Sequence, residues 1–189
     1  METRIKSIEK PQSPLMWLAY WISKRKYGKV LTPLKAVYSR LPVAFSLWAN
    51  RIHSLEQKLE ISEELTLLVR VYVSQLNSCA FCIDIGKALS IRKFNNEEKF
   101  LQLAGYPQSD RYSPAEKAAL DFAHALTVHK KVPDDVYRRA DRYFSEKQLV
   151  ALAWVVSTEH LYNLMNVTFH IESDGLCALP GPPAVLAEA

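Results

Sequence analysis

A sixteen-residue apolar segment, ISEELTLLVRVYVSQL (residues 61–76), is the strongest constraint on the fold. Ser62 is a suitable N-cap, and two acidic residues, Glu63 and Glu64, follow it in the first turn. Apolar side chains then recur with helical spacing and also cover most of the remaining faces, and sixteen residues is long for a strand. The segment therefore predicts a helix that is buried on most sides.

Helix-start signals recur along the rest of the chain, whereas strand signals are scarce. SPAE (113–116) and SEKQ (145–148) both have the spacing of a capping box, and each precedes an apolar run with helical periodicity. NNEE (95–98) is a third candidate start, for a helix that Gly105 would end. VPDDVYRRADRYF (132–144) indicates another short helix. We predict an all-α helical bundle of about seven or eight helices.

Length and composition favour one domain. The chain has 189 residues, of which 49% are hydrophobic and only 5 are glycine, and this length suits a single core. We expect the domain to span residues 1–178, with the core motif region at about 61–170. Residues 179–189 contain three prolines and are expected to form a flexible tail.

Charge and hydropathy limit the partners and the compartment. The net charge of +4 is mild and the basic residues are scattered apart from SKRKYGK (23–29), so a nucleic-acid partner is not expected. The apolar stretch PLMWLAYWI (14–22) is too short to span a bilayer. Trp17 and Trp21 share one face of a helix there, which indicates packing against the core or a partner subunit rather than on a membrane surface. Three cysteines favour a reducing, cytoplasmic location over a disulfide scaffold.

The pair Cys79 and Cys82 in the motif NSCAFC is the strongest candidate for chemistry. A helix is predicted to begin at or just after NSC, so that the two cysteines are neighbours near its positive end. That position lowers the pKa of a thiol and favours a dithiol–disulfide couple. Two alternatives stay open: a zinc site completed by Cys177, His160 and His170, and a pair of inert buried thiols. A thioredoxin fold is disfavoured because the preceding segment is predicted as a helix.

The segment LTLLVRVYVSQLNSCAFCIDIGKAL (65–89) resembles the core of the carboxymuconolactone decarboxylase superfamily, in its alkylhydroperoxidase D-like (AhpD-like), peroxidase-related branch. The segments at 27–48, 113–167 and 171–177 are also similar to this family, so the resemblance covers nearly the whole chain. It implies an all-helical AhpD-like fold and a homo-oligomer, commonly a trimer or a hexamer.

The resemblance also implies roles for the two cysteines. In this branch the second cysteine of the motif attacks the peroxide and the first resolves the sulfenic acid as a disulfide. Carried over, Cys82 is the attacking cysteine and Cys79 the resolving one. The implied function is a thiol-dependent hydroperoxide reductase, or a related antioxidant dithiol oxidoreductase. Its partners are a hydroperoxide and an external dithiol reductant, and no cofactor or metal is expected.

Two residues of the family's proton relay are missing from this chain. The branch has a glutamate twelve residues before the first cysteine and a histidine four residues after the second, where this chain has Leu67 and Gly86. Without a relay, peroxide reduction is expected to be weak and to rise with pH as more thiolate forms. His160 is the first candidate to replace the relay. The other candidates are Glu64, Asp84, Lys87 and Glu159.

Two further functions stay open within the same family. The missing relay favours a non-catalytic or redox-sensing helical oligomer, whereas the retained cysteine pair favours the enzyme. A carboxymuconolactone-type decarboxylase is the third possibility, and decarboxylation of a lactone acid needs no cysteine pair.

Overall fold

The computed structural model describes residues 3–44 and 50–178, and every regular element in these ranges is helical. A π-helical turn (Leu34–Tyr38) and two 3₁₀ turns (Leu103–Gln108 and Leu176–Ala178) accompany the α-helices. The all-α prediction is confirmed, but the expected count of seven or eight helices is too low. Segments as short as three residues have too few positions to show a periodicity. The α-helices are α1 (Pro14–Tyr27), α2 (Pro42–Ala44), α3 (Asn50–Glu56), α4 (Glu63–Leu76), α5 (Ala80–Phe94), α6 (Glu97–Leu101), α7 (Pro114–His129), α8 (Asp134–Asp141) and α9 (Glu146–Thr168).

The helix starts follow the capping signals in the sequence. Ser62 accepts a hydrogen bond from the Leu65 N–H at 3.1 Å at the start of α4. Ser113 and Ser145 each form a complete capping box, at the starts of α7 and α9. These caps satisfy backbone donors that a helix end leaves without partners. They therefore fix where three of the longest helices begin.

The helix predicted to end at Gly105 ends earlier. α6 stops at Leu101, and a 3₁₀ turn continues through Gly105 to Gln108. The buried side chains of Phe100, Leu103 and Tyr106 anchor both segments to the core. Tertiary packing thus overrides the glycine as a stop signal.

Helix α4 occupies the centre of the main core. It packs against α5, α7 and α9, and four of its side chains are completely buried: Leu68, Val69, Val71 and Val73. Such a position removes apolar side chains from water on several faces of one helix at once. The prediction of a helix buried on most sides is confirmed.

A second, smaller core lies between α1, the π-helical turn and the start of α5. It includes Met16, Tyr20 and both residues of the cysteine pair. Trp17 and Trp21, however, point away from it and are 51% and 60% exposed. Packing of these two side chains on the described part of this core is therefore not observed, and their packing against a partner subunit stays a prediction.

Several expectations are not tested by the structure. Residues 179–189, the predicted flexible tail, lie outside the described residues. The division into one domain up to residue 178 and a tail stays a prediction. Within the described ranges, no helix combines the length and the apolar character needed to cross a bilayer.

Candidate active site

The two cysteines lie where the turn after α4 leads into α5. Ser78 has a left-handed backbone conformation with a φ of 54°, and the Cys79 N–H donates to the carbonyl of Ser74 at 2.9 Å. This reversal makes Cys79 the N-cap of α5, where its Sγ accepts a hydrogen bond from the Cys82 N–H at 3.4 Å. Cys79 and Cys82 form a disulfide with their Cα atoms 5.3 Å apart. The prediction that the pair meets at a helix start is confirmed.

Cys82 lines a cavity of about 220 Å³ between α4, α5 and α9, and Cys79 is not among the described residues that line it. One wall is apolar and is built from α4 and α5, with Leu67, Val71, Phe81, Ile85, Gly86 and Leu89. The polar wall consists of Tyr38, Arg70, Glu159, Tyr162 and Asn166, three of which come from α9.

A wider groove of about 430 Å³ adjoins this cavity. The two share five lining residues: Pro33, Tyr38, Phe81, Ile85 and Tyr162. The groove continues along α1 past apolar side chains, including Leu15, Leu18 and Ile22, which are themselves exposed. An apolar path therefore leads from the surface at α1 to the cavity at Cys82.

Asn166 makes the direct polar contact with the Cys82 side chain. Its Nδ2 donates to Cys82 Sγ at 3.3 Å, and both side chains are buried. A donor at this position stabilises a negative charge on the sulfur after the disulfide is reduced. The partial positive charge at the N-terminus of α5 acts in the same direction.

Glu159 is a buried carboxyl group in the polar wall. Its Oε1 accepts hydrogen bonds from Ser74 Oγ at 2.8 Å and from Asn163 Nδ2 at 2.6 Å. Burial raises the pKa of Glu159, against the opposing effects of Arg70 and of these two hydrogen bonds. The site thus contains a carboxyl group that retains its proton to a higher pH than an exposed glutamate.

Arg70 lies between two carboxyl groups. Its Nη2 forms an ion pair with Glu56, and its Nε is 3.9 Å from Glu159 Oε2. Two tyrosines complete the surroundings of these charges. Burial raises the pKa of Tyr162 to about 12 and also raises the pKa of Tyr38, so both keep their hydroxyl protons at neutral pH.

The two positions where the family has relay residues, Leu67 and Gly86, both line this cavity. At Gly86, α5 lies close to α4. A Cβ at residue 86 would lie 2.5 Å from Cγ2 of Val71, which is completely buried. The close helix contact therefore requires glycine here and excludes the histidine of the family motif.

His160 does not line the cavity of Cys82 among the described residues. Its Nδ1 is 3.4 Å from Nδ2 of Asn77. Burial lowers the pKa of His160, assisted by the charge of Lys130. The structure thus brings Glu159, rather than His160, to the cavity that contains Cys82.

The other relay candidates have structural partners elsewhere. Glu64 binds Lys99, with Oε1 to Nζ at 2.9 Å, and Lys87 does not line the cavity among the described residues. Asp84 is buried. Although burial opposes its ionisation, hydrogen bonds that include the backbone N–H groups of Leu176 and Cys177 lower the pKa of Asp84. Asp84 thereby holds the segment after α9 against α5.

The residues proposed for a zinc site do not assemble one. Among residues 3–44 and 50–178, no three His, Cys, Asp or Glu side chains come together as a metal-ligand set. Cys177 is exposed, and its Sγ is 3.5 Å from the carbonyl of Asp84. Within this part of the chain, the zinc alternative has no ligand set.

Comparison with known proteins places these features in a family. No family model matches the chain. It is 30% identical over 162 residues to the uncharacterized protein YnjA of Escherichia coli, an alignment that spans 85% of this chain and 88% of YnjA. A peroxidase-related protein of Ralstonia eutropha with the AhpD core superimposes with a TM-score of 0.70 at 17% identity, over 92% of this chain and 96% of that one. The chain is therefore a relative of YnjA over most of its length, and its fold is the AhpD-like fold of the solved structures.

The fold of this AhpD-like chain is also similar to that of the debrominase Bmp8. The TM-score is 0.77 at 20% identity, over 94% of this chain and 96% of Bmp8. The resemblance to AhpD-like, peroxidase-related proteins is thus confirmed at the level of the fold.

Sequence reasoning missed the most direct partner of Cys82 in this AhpD-like chain. The sequence offers Glu159 as one of several relay candidates, and the motif itself does not point to Asn166. A signal for both exists in α9, where Glu159, Tyr162, Asn163 and Asn166 follow the spacing i, i+3, i+4, i+7 in a helix that is otherwise largely apolar. Such a polar stripe indicates one helix face directed at a shared polar site.

Proposed function

We propose that this AhpD-like chain is a thiol-dependent hydroperoxide reductase in which Cys82 attacks and Cys79 resolves. The observation that carries the proposal is the disulfide at the N-terminus of α5, with Cys82 facing the cavity and Cys79 behind it as the N-cap. A substrate in the cavity meets Cys82 first. The N-cap position keeps Cys79 within reach of the oxidised sulfur.

The reaction follows from the chemistry of a thiolate and a peroxide. The Cys82 thiolate attacks one peroxide oxygen, the O–O bond breaks, and the products are the sulfenic acid of Cys82 and an alkoxide that takes up a proton. The Cys79 thiol then attacks the sulfenic sulfur, which forms the disulfide and releases water. An external dithiol reduces the disulfide and is itself oxidised to a disulfide.

The shape and lining of the site favour an organic hydroperoxide over hydrogen peroxide. The cavity at Cys82 has an apolar wall, and it opens into a groove that follows the exposed apolar side chains of α1. Transfer of an alkyl or aryl group from water into such a path is favourable by about 25 cal/mol per Å² of apolar surface.

The decisive measurement is steady-state reduction of cumene hydroperoxide with dithiothreitol in excess. Wild-type protein should turn over, and Cys82→Ser should reduce the rate to background because no other cysteine lines the described cavity. Cys177→Ser is the matched control, since it removes an exposed cysteine outside the cavity, and it should keep the wild-type rate.

Two outcomes would contradict the proposal. A wild-type protein whose disulfide cycles reversibly but which reduces no hydroperoxide would favour the redox-sensing oligomer. A pair that stays reduced under an oxidant that converts an ordinary dithiol would favour inert thiols.

A second candidate function is the thiol-dependent removal of halogen from an aromatic ring. Bmp8 is named a debrominase, and a cysteine-to-alanine variant of it is known in complex with 2,3,4-tribromopyrrole. In this chain, Phe81, Tyr38 and Tyr162 give the cavity at Cys82 an aromatic lining that suits a flat apolar ring. The balanced reaction converts an aryl bromide and two thiols into the arene, a disulfide and hydrogen bromide. Release of one bromide ion per disulfide from a bromopyrrole would support it.

We also propose that the chain forms a homo-oligomer, with a trimer or a hexamer expected. Large apolar side chains are exposed on α1 and on one side of α9, an arrangement that is uncommon for a monomer.

Light scattering at micromolar concentration should give a mass of at least three chains, and a monomer would contradict the proposal. Trp21→Glu and Leu164→Glu should each lower the mass if their helix lies in an interface. The exposed residues are Leu15, Trp17, Leu18, Trp21 and Ile22 on α1, and Val150, Trp154, Leu161, Leu164 and Val167 on α9.

A further inference from the structure

We infer that the proton relay of this site has moved to α9 in the polar wall of the cavity, where Glu159 accepts the proton of the Cys82 thiol and donates it to the departing alkoxide. The inference deepens the proposed function and rests on it. Its starting point is that Leu67 and Gly86, where relatives have relay residues, and Glu159 all line the same cavity as Cys82.

The two oxygens of the Glu159 carboxyl group have different hydrogen-bond partners. Oε1 is held by Ser74 and Asn163, which fix the orientation of the carboxyl group. Oε2 accepts no hydrogen bond from any described residue, and its nearest charged neighbour is Arg70 Nε at 3.9 Å. The carboxyl group is therefore positioned by one oxygen, and the other is available for a proton from a thiol or to an alkoxide.

The charges around Glu159 suit a group that both accepts and donates a proton. The titratable groups that face it are Arg70 from α4, Glu56 from α3, Tyr162 from α9 and Tyr38 from the π-helical turn. A single arginine is shared between two carboxyl groups, and Glu56 is bonded to it more closely. Burial raises the pKa of Glu159 towards the working pH, which is where an acid–base group is most effective.

Each proton is accounted for in this scheme. The ionised Glu159 takes the thiol proton of Cys82, and Asn166 stabilises the resulting thiolate by donating to its sulfur. Thiolate attack forms the S–O bond and breaks the O–O bond, and the alkoxide leaves. The protonated Glu159 then transfers its proton to the alkoxide, which departs as an alcohol, and Glu159 is ionised again for the next cycle.

The test compares Glu159→Gln with wild type in a single turnover. Fully reduced protein is mixed with cumene hydroperoxide across a range of pH, and the rate of disulfide formation is measured. The wild-type rate should rise with pH as Cys82 ionises and fall at higher pH once Glu159 loses its proton. Because the two groups interact, the apparent pKa values of the rising and falling limbs belong to the Cys82–Glu159 pair and not to either residue alone. Glu159→Gln should lower the rate by about 10²–10⁴-fold and remove the falling limb, because the amide transfers no proton.

A peroxy acid separates proton donation from a structural effect. Its leaving group is a carboxylate, which departs without being protonated. Glu159→Gln should therefore lose much less rate with peracetic acid than with cumene hydroperoxide, whereas a distorted site would lose rate with both. An equal loss with the two oxidants would overturn the inference.

Glu116→Gln is the matched control. Glu116 is a partly buried carboxyl group in an ion pair with Lys99 on a different face of the fold, and glutamine can still complete its capping box. This variant should keep the rate and the shape of the wild-type pH profile.

Folding of Glu159→Gln is checked by circular dichroism and thermal unfolding, and the amide oxygen can still accept from Ser74 and Asn163. If Glu159→Gln does not fold, Glu159→Asp is measured instead, because aspartate keeps a carboxyl group but its shorter side chain places that group farther from the cavity. A shifted falling limb in this variant supports the relay, and an unchanged profile overturns it. Failure of wild type to reduce any hydroperoxide would instead count against the proposed function itself.

Discussion

Replacement of Cys79 by serine should stop the catalytic cycle after the first oxidation and leave Cys82 open to overoxidation. The peroxide still reaches Cys82 through the cavity, but no neighbouring thiol condenses with the sulfenic acid. Well-oriented intramolecular reactions reach effective molarities of about 10⁵–10⁸ M, so millimolar external thiol replaces Cys79 poorly, and we expect turnover to fall by at least ~10²-fold. Mass spectrometry should detect sulfinic acid on Cys82 in the variant and a reversible loss of two hydrogens in wild type.

The structure makes Cys79→Ser an informative variant because it should preserve the fold. Cys79 is the N-cap of α5 and accepts from the Cys82 N–H, and serine is among the preferred N-cap residues. A loss of turnover therefore reports on chemistry rather than on a frayed helix. Unchanged multiple turnover in Cys79→Ser would show that Cys79 is not the resolving thiol.

Substitution of Gly86 should cost stability in proportion to the size of the new side chain. A Cβ at this position lies 2.5 Å from Cγ2 of Val71, and a valine side chain in a helix has little rotamer freedom to move away. Overpacking typically lowers stability by about 1–3 kcal/mol, whereas alanine is more favourable than glycine in a helix by about 1 kcal/mol. We expect Gly86→Ala to lower the free energy of unfolding by up to about 2 kcal/mol, and Gly86→His to prevent folding.

Urea unfolding at a fixed protein concentration measures this effect. Gly105→Ala is the matched control, because nothing lies within 4 Å of its added Cβ, and its effect should stay within about 0.5 kcal/mol. In a Val71→Ala background, the clash is relieved and Gly86→Ala should become neutral or stabilising. A destabilisation of the same size in both backgrounds would mean that Val71 is not what excludes a side chain at residue 86.

The Gly86 contact also changes how the missing relay is understood. From the sequence, a leucine and a glycine at the relay positions indicate that proton transfer has been lost, and restoring glutamate and histidine is the obvious repair. The structure rules out that repair at Gly86, because α4 and α5 pack too closely there. It also shows a buried carboxyl group and an amide that donates to the sulfur, both from α9 and both lining the same cavity.

The sequence by itself determined where several of the long helices begin and the position of the cysteine pair. Capping residues such as Ser62, Ser113 and Ser145 act on backbone groups three residues away, so their effect is readable without any knowledge of the fold. The placement of Cys79 and Cys82 at a helix start follows from the same local rules. The family resemblance added the fold, which the structure and the relatives confirm.

Tertiary structure decided which side chains surround Cys82. Asn166 and Glu159 are 84 and 77 residues beyond Cys82 in the chain, and only the packing of α9 against α4 and α5 brings them to the cavity. His160 is adjacent to Glu159 in sequence but faces another side of the same helix, since neighbouring residues are about 100° apart around a helix axis. Burial then raises the pKa of the Glu159 carboxyl group, and burial is a property of the packed chain that no local pattern specifies.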